Sequence, residues 1–286
     1  MPPIVRLYKK SIITALFLII ILGTGGFVFR GELRNLLDFK KIAEQASLPK
    51  ETAIDETQYQ EEVISEETNT NSEIAADDSS EGSEQEVLGA ATENKPLPAE
   101  INLKVPFTPQ APHANWELPY GEACEEASAL MVHYYFEKKT FTKESADKEI
   151  KKLVDFQNKK YGFYKDSTAD ETARFIKDYL KYKKVRVIPA SIDAIKQELA
   201  AGRPVIIPVA GRLLGNPNFR RPGPLYHMLV VKGYTKDGKF ITNDPGTRNG
   251  ANYVYDQKVL MNAIHDWNGG YVNNGKKVII VVDKNK

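Results

Sequence analysis

The hydrophobic pattern divides the chain into three unlike parts. From Ile12 to Phe29 apolar residues run for 18 positions without a charge, interrupted only by Thr14, Gly23, Thr24, Gly25 and Gly26. As a helix this run is roughly 27 Å long, enough to cross the hydrocarbon layer of a bilayer. From Glu51 to Asn94 apolar periodicity disappears. From Asn102 to Val282 it returns, first at helical and then at strand spacing.

That last part predicts its elements in order. Asn102 to Phe107 reads as a short extended run, ended by Pro106 and Pro109. Ala123, Ala127, Leu130, Met131, Tyr134 and Tyr135 recur every three or four residues, which predicts a helix from Cys124 to about Lys138. Thr142 can cap a second helix reaching about Phe156, with Ala146, Ile150, Leu153 and Val154 on one side. Thr168-Ala-Asp-Glu171 has the capping-box pattern and opens a third through Leu180. Val185 to Ile188 follows as a strand, and Ser191 starts a fourth helix that stops at Gly202. The spacing then changes. Pro204 to Ala210 is a continuous apolar strand, Gly211 to Pro224 a loop rich in Gly, Pro and Asn, and Tyr226 to Tyr234 another strand. Asp237-Gly238 is a hairpin signal that returns Phe240 to Asn243 antiparallel. Tyr253 to Tyr255 adds a strand, Asp256 caps a last helix through His265, and Val278 to Val282 closes the sheet. Helices first and an antiparallel sheet after them make an α+β domain.

Charge sharpens the division. The whole-chain balance of +1 conceals a basic domain behind an acidic stretch. Arg6, Lys9 and Lys10 precede the long apolar run and no Ala-x-Ala site follows it, the pattern of an uncleaved signal anchor with its N-terminus inside. The expected organisation is a basic segment over 1–11, a transmembrane anchor over 12–29, a juxtamembrane segment and linker over 30–97, and an extracytoplasmic domain over 98–286. Glu51 to Asn94 holds 14 acidic side chains and no Lys or Arg. It offers too little apolar surface to offset the entropy of ordering, so a disordered linker is expected. As a flexible coil it would act as a spacer of roughly 35–40 Å. Leu97 to Lys286 carries 30 basic and 21 acidic side chains. That excess suits anionic polymers such as cell-wall components. It lacks the Arg and aromatic clusters of a nucleic-acid reader, and no nucleic-acid partner is expected. No metal-ligand spacing or phosphate-binding glycine loop is present, so no cofactor is expected.

The chemistry centres on the one cysteine of 286 residues. Cys124 can form no internal disulfide, and outside a membrane an isolated thiol is an oxidation liability unless it works. At the start of a helix it meets unpaired backbone N–H groups and the positive end of the dipole, both of which favour a thiolate. Glu125 and Glu126 oppose this, so their side chains are expected to point away. The alternative is a small buried core residue. A thiol nucleophile also needs a base, and the base needs an orienting group. His133 lies nine residues along the same helix, about 13 Å away and beyond hydrogen-bond reach. His113 sits in the proline-rich loop and His265 in the last helix. His227 opens an apolar strand directly after the Gly and Pro loop. Asn243-Asp244-Pro245 ends the return strand, where antiparallel pairing can bring it beside His227. Asn243 and Asp244 point to opposite faces, and either could hold the ring.

Val105-Pro-Phe-Thr-Pro-Gln110, Cys124 at a helix start, His227-Met-Leu-Val-Val-Lys-Gly-Tyr234 and Asn243-Asp-Pro245, in this order, resemble the double-glycine (bacteriocin-processing) peptidase-like family of papain-like cysteine peptidases. The resemblance covers roughly Asn102 to Val282. It implies a papain-like domain with Cys124 as nucleophile, His227 as general base and Asp244 as orienter. Gln110 and backbone N–H groups would form the oxyanion hole. Members often continue the cysteine with Gly-Pro, where this chain has Glu125-Glu126. Members fused to export transporters cleave after Gly-Gly leaders; this sequence has no ATPase domain, and that substrate is not carried over. The expectation is a membrane-anchored thiol peptidase acting on peptides or proteins, cell-wall peptides among them, with Trp116, Tyr120 and Tyr226 binding substrate. A transglutaminase-like acyltransferase and an inactive binding module remain the alternatives.

Overall fold

Four of the five helices of the folded domain start behind a polar side chain that closes their first turn, and the fifth does not. The computed structural model describes residues 43–53 and 96–284, so the expected basic segment, the anchor at 12–29 and most of the acidic stretch lie outside the described residues. Among the described residues no helix is long and apolar enough to cross a membrane. The chain divides into a unit ending at Leu48 and a second beginning at Pro49, and the elements below belong to the second.

A short strand β1 (Ile101–Asn102) precedes the exceptional helix, α1 (Cys124–Phe136), whose N-cap Ala123 has no side-chain oxygen to offer. Its first-turn N–H groups are therefore left without a side-chain cap. α2 (Lys143–Tyr161) has a reciprocal box between Thr142 and Ser145, and α3 (Ala169–Leu180) one between Thr168 and Glu171. α4 (Ile192–Ala200) is capped by Ser191, and α5 (Gln257–Ala263) by Asp256. α2 runs five residues past the expected Phe156 and ends at Gly162, whose φ is 84°. Gln157, a polar residue buried on the inner face, is what interrupted the apolar spacing there. α5 stops before His265 because Ile264 turns extended and bridges Val209.

The strands β2 (Val185–Pro189), β3 (Val205–Val209), β4 (His227–Tyr234), β5 (Lys239–Asn243), β6 (Tyr253–Asp256) and β7 (Val278–Val282) join β1 in one antiparallel sheet. Their order is β2-β7-β3-β4-β5-β6, with β1 paired to the far end of β4. Helices come first and the sheet after, except that β2, between two helices, pairs with the last strand. α1 packs on β4, with α2 and α3 beside it, and Ser128 donates to the Met228 carbonyl at 3.2 Å. Leu130 and Met131 of α1 and Ile206 and Leu229 of the sheet are fully buried between these layers, each contributing about 1.5–3 kcal/mol.

The folded unit also takes in the start of the acidic stretch. Thr52 N donates to Asn102 O at 2.8 Å, Lys104 N to Thr52 O at 2.7 Å, and Asn102 Nδ2 to Pro49 O at 2.8 Å. Residues 53 and 96, which flank the remainder of that stretch, thus belong to one unit. The remainder of that stretch, and with it most of the expected linker, lies outside the described residues. Glu51 has a specific task. Lys232, in the middle of β4, is fully buried, and its ammonium donates to Glu51 Oε1 at 2.5 Å and Asn252 Oδ1 at 2.6 Å. Burial pulls the Lys232 pKa down and Glu51 opposes that pull. Glu51→Gln should therefore lower unfolding stability by about 2 kcal/mol, less than a fully buried pair because Glu51 is partly exposed. Lys232→Met, which removes the charge as well, should be milder. Urea unfolding of both variants checks the order.

Candidate active site

The site forms where the start of β4, the end of β5 and the uncapped end of α1 meet. Pairing of Val209 with His227 fixes the first residue of β4, and pairing of Val230 with Asn243 brings the end of β5 alongside. The two candidate orienting residues then separate by face. Asn243 Nδ2 donates to Val105 O at 3.0 Å, and its Oδ1 accepts from Asn252 N at 3.2 Å. Asp244 Oδ1 lies 2.8 Å from His227 Nε2, so Asp244 and not Asn243 meets the ring.

Asp244 is a saturated acceptor. Oδ1 also takes Gly246 N at 3.0 Å, and Oδ2 takes Tyr255 OH at 2.7 Å and Asn216 Nδ2 at 3.2 Å. Burial alone would push its carboxyl up, but the His227 ring, the Tyr255 hydroxyl and the Gly246 N–H hold it below the usual carboxylate range. An ionised Asp244 accepts the Nε2 proton of His227, which leaves the Nδ1 lone pair free. Asn216 and Tyr255 escaped the sequence reading: one is an unremarkable loop residue, the other an aromatic in an ordinary strand.

Gly246 closes the far side of the ring. A Cβ there would lie 2.8 Å from His227 Cε1 and 2.9 Å from Phe219 Cε1, and the Phe219 ring stands edge-on to His227 at 5.4 Å. Gly246→Ala should push the imidazole out of place and lower activity by about 10²-fold, with a smaller effect on folding. Steady-state rates beside a thermal unfolding curve separate the two.

Cys124 and His227 line one cleft of about 890 Å³, together with Gln110, Trp116, Tyr226 and Trp267. The thiol is 6% exposed and donates to Glu125 Oε2 at 3.0 Å. The glutamates do not point away as expected: Glu125 is 1% and Glu126 0% exposed. α1 is enclosed on nearly all sides, so these two side chains are held inside the domain. Glu125 Oε1 accepts from Ser167 N at 3.1 Å and Glu126 Oε1 from Gln157 Nε2 at 2.5 Å, while Glu126 Oε2 has no partner. Burial, and then the Glu126 charge, pushes the Glu125 carboxyl well up. Burial raises Glu126 to about 8. The Cys124 thiol is pushed up by burial first and then by the charges of Glu125 and Glu126. A carboxyl that stays protonated does not repel a thiolate.

The remaining expected residues fall in different places. Gln110 is at the site, tied to the turn after β5 by Gln110 N donating to Pro245 O at 3.0 Å. Its Nε2, however, donates to Tyr120 O at 2.9 Å and Gly121 O at 3.1 Å, and its Oε1 is buried without a partner. Both amide protons are thus committed, and the expected oxyanion donor is not available from Gln110 in this geometry. Trp116 stands on the cleft wall, 45% exposed. Tyr226 lines the cleft as a fixed wall, its hydroxyl donating to Ser167 O at 2.9 Å and lying 3.2 Å from Asp266 Oδ1. Tyr120 does not line it: the 3-10 turn Tyr120–Glu122 buries the ring, and the hydroxyl donates to Asp147. His113 is exposed, His133 lies 3.0 Å from Tyr182 OH, and His265 meets Gly275 O, so none of these joins the cleft. Among the described residues no cluster could hold a metal ion. The cleft also carries opposite charges. Arg220, Arg221 and Arg248 contribute cations, and Glu122 and Asp166 contribute carboxyls. Burial raises both carboxyls, and Asp166 raises Glu122 further.

A sequence model described as the Peptidase_C39 like family matches residues 102–273, more than half of the chain. Among solved structures, one from Bacillus anthracis described as a candidate C39-like peptidase is 19% identical. The match covers 65% of this chain and 99% of that one, with a TM-score of 0.41. None of the curated proteins matches the chain.

Proposed function

Because the chain belongs to the Peptidase_C39 like family, we propose that it is a cysteine peptidase in which Cys124 attacks a peptide carbonyl, His227 moves the proton and Asp244 holds His227. The observation that carries this reading is the 2.8 Å bond from His227 to Asp244, beside the cleft that also takes in Cys124. Asp244 keeps Nε2 protonated, so Nδ1 can take the Cys124 proton as sulfur bonds to the carbonyl carbon. The carbonyl oxygen gains the charge and is received by the uncapped first-turn N–H groups of α1, where the helix dipole also favours an anion. Gln110 acts one step back, fastening Tyr120 and Gly121 just before that turn. The imidazolium returns its proton to the leaving amine. Water, deprotonated by His227, then cleaves the thioester and frees the acid.

The substrate in this reading is a peptide that offers both a carboxylate and an amine to the two charged sides of the cleft, as cell-wall peptides do. The apolar run Ile12 to Phe29 behind Arg6, Lys9 and Lys10 supports a single-pass anchor with the peptidase outside the membrane. The test uses the full chain in detergent with a mixture of synthetic peptides, read by mass spectrometry. New peptide ends should appear with the native chain and be absent with Cys124→Ala. Cleavage that survives Cys124→Ala would overturn the reading. Products carrying an added amine in place of a free acid would establish an acyltransferase instead.

A further inference from the structure

Glu125 has no part in the chain of groups from Cys124 through His227 to Asp244, yet its Oε2 is 3.0 Å from the nucleophilic sulfur. Its two oxygens have different surroundings. Oε1 accepts the Ser167 N–H at 3.1 Å, as a carbonyl oxygen would, while Oε2 is the oxygen that meets the thiol. The carboxyl is 1% exposed and cannot swing to solvent. Were Glu125 ionised when Cys124 became a thiolate, two anions would stand 3.0 Å apart in a buried site, and groups so placed do not both ionise.

The groups nearest Glu125 are mostly acidic. Glu126 is the next residue on α1, Glu122 precedes it, and Asp166 and Tyr164 come from the loop before α3. Tyr226 reaches in from the residue just before β4, with Asp266 behind it. His227, Arg220, Arg221 and Arg248 line the same cleft as Cys124 and Glu125, and no salt bridge to Glu125 occurs among the described residues. Burial of Glu125 and the neighbouring Glu126 charge push its carboxyl in the same direction, toward the protonated form.

We infer that Glu125 is a positioning residue that works as a neutral acid, its Oε2–H donating to the Cys124 thiolate once His227 Nδ1 has taken the thiol proton. One S–H bond breaks and one N–H bond forms, while the Glu125 proton stays on Oε2 and turns toward sulfur. The hydrogen bond so formed stabilises the charge that an ionised glutamate would repel. The inference rests on the reading of Cys124 and His227 as a reacting pair. It explains how a nucleophilic thiol can be followed directly by Glu125-Glu126.

The test is the rate of Cys124 alkylation by iodoacetamide across pH, on the full chain. Glu125→Leu, which cannot donate, should lower the rate at neutral pH at least tenfold. Glu125→Gln, whose amide can still accept from Ser167 and donate to sulfur, should recover a third or more of the native rate. The native profile should bend downward at alkaline pH, where Glu125 loses its proton, and the Gln profile should not. A Gln variant as slow as the Leu variant, with its thermal midpoint intact, would overturn the inference, because the ionised carboxylate would then be the required form. Identical native and Gln profiles would overturn it as well. Where the variants fail to fold, the infrared band of the protonated carboxyl in the native chain replaces them: it should shift when Cys124 is alkylated, and a band that does not move contradicts the inference. His227→Ala run in parallel keeps the two ideas apart, since a rate indifferent to His227 defeats the reacting pair whatever Glu125 does.

Discussion

Asp244→Asn should lower kcat for peptide cleavage by about 10³- to 10⁴-fold and leave KM nearly unchanged. The substituted side chain has the same shape, and its oxygen can keep the bonds from Tyr255 and Asn216, while the bond from Gly246 N is lost. What changes is the group presented to His227 Nε2, 2.8 Å away. An amide that turns its N–H toward Nε2 selects the tautomer with the proton on Nδ1, and that nitrogen can no longer accept from the thiol. Because the fault lies in the proton's position, substrate binding should be spared. Steady-state kinetics on any peptide the native chain cleaves give kcat and KM separately, and denaturant unfolding confirms that the fold is intact. A loss under tenfold would mean that Asp244 is a structural anchor and not the group that sets the tautomer. Asp244→Ala is a poorer test, since it strands the Tyr255 hydroxyl and the Asn216 amide in a buried space.

Unfolding stability should fall as pH rises from about 5 to about 8, the reverse of what a protein rich in ordinary surface carboxylates shows over its acid range. Glu126 is raised to about 8 by burial, and Glu125 is pushed well up by burial and by Glu126. In the unfolded chain both titrate near the ordinary glutamate value of 4.5. Between the two limits the native state holds protons that the unfolded state has released, and each such proton lowers stability by about 1.4 kcal/mol per pH unit. The stabilising contribution is complete below the unfolded pKa and is lost as pH climbs through the folded one. Asp244 works in the opposite sense. Its folded pKa is depressed, so its contribution is present above its unfolded pKa and is lost as the solution becomes more acid. Maximum stability is therefore expected on the mildly acid side of neutrality. Glu126→Gln removes one titration and should flatten the slope between pH 5 and 8. Urea midpoints of native and variant chains at four or five pH values decide the matter. A native slope that rises with pH, or a Gln variant that keeps the native slope, would show that these carboxyls are ionised in the folded state.

Much of the fold could be read from side chains whose local preference agrees with their global place. Thr142, Thr168, Ser191 and Asp256 all cap the helices they were expected to cap, because a capping oxygen acts on N–H groups two or three residues away and needs no tertiary context. The hairpin at Asp237-Gly238 likewise fixed the pairing of β4 with β5, and with it the meeting of His227 and Asp244.

What escaped depends on burial that no short window reveals. The sequence of α1 reads as a helix with one apolar face, yet Glu125, Glu126 and Ser128 are as buried as Leu130. The two glutamates are expected to point away because their charges oppose a thiolate, an argument that does not see how completely α1 is enclosed. The role of Glu51 was hidden for another reason. Its partner Lys232 is 181 residues away, and the stretch between them that starts with Glu51 is dominated by charge. Gln110 reached the expected place and made unexpected bonds, since the carbonyls of Tyr120 and Gly121 that claim its amide depend on the shape of a loop. Tyr120 failed as a cleft residue on the same turn.

Cys124 is the only cysteine in the chain, so an alkylation rate reports on one sulfur atom and requires no knowledge of the substrate. The deciding measurement is the second-order rate of its reaction with iodoacetamide at neutral pH, for the native chain, for His227→Ala and for free cysteine. The native thiol should react at least tenfold faster than free cysteine, and His227→Ala should bring it to or below the free rate. A native rate no higher than that of free cysteine and unaltered by His227→Ala would show that Cys124 is a buried core thiol, with no activated nucleophile in the cleft.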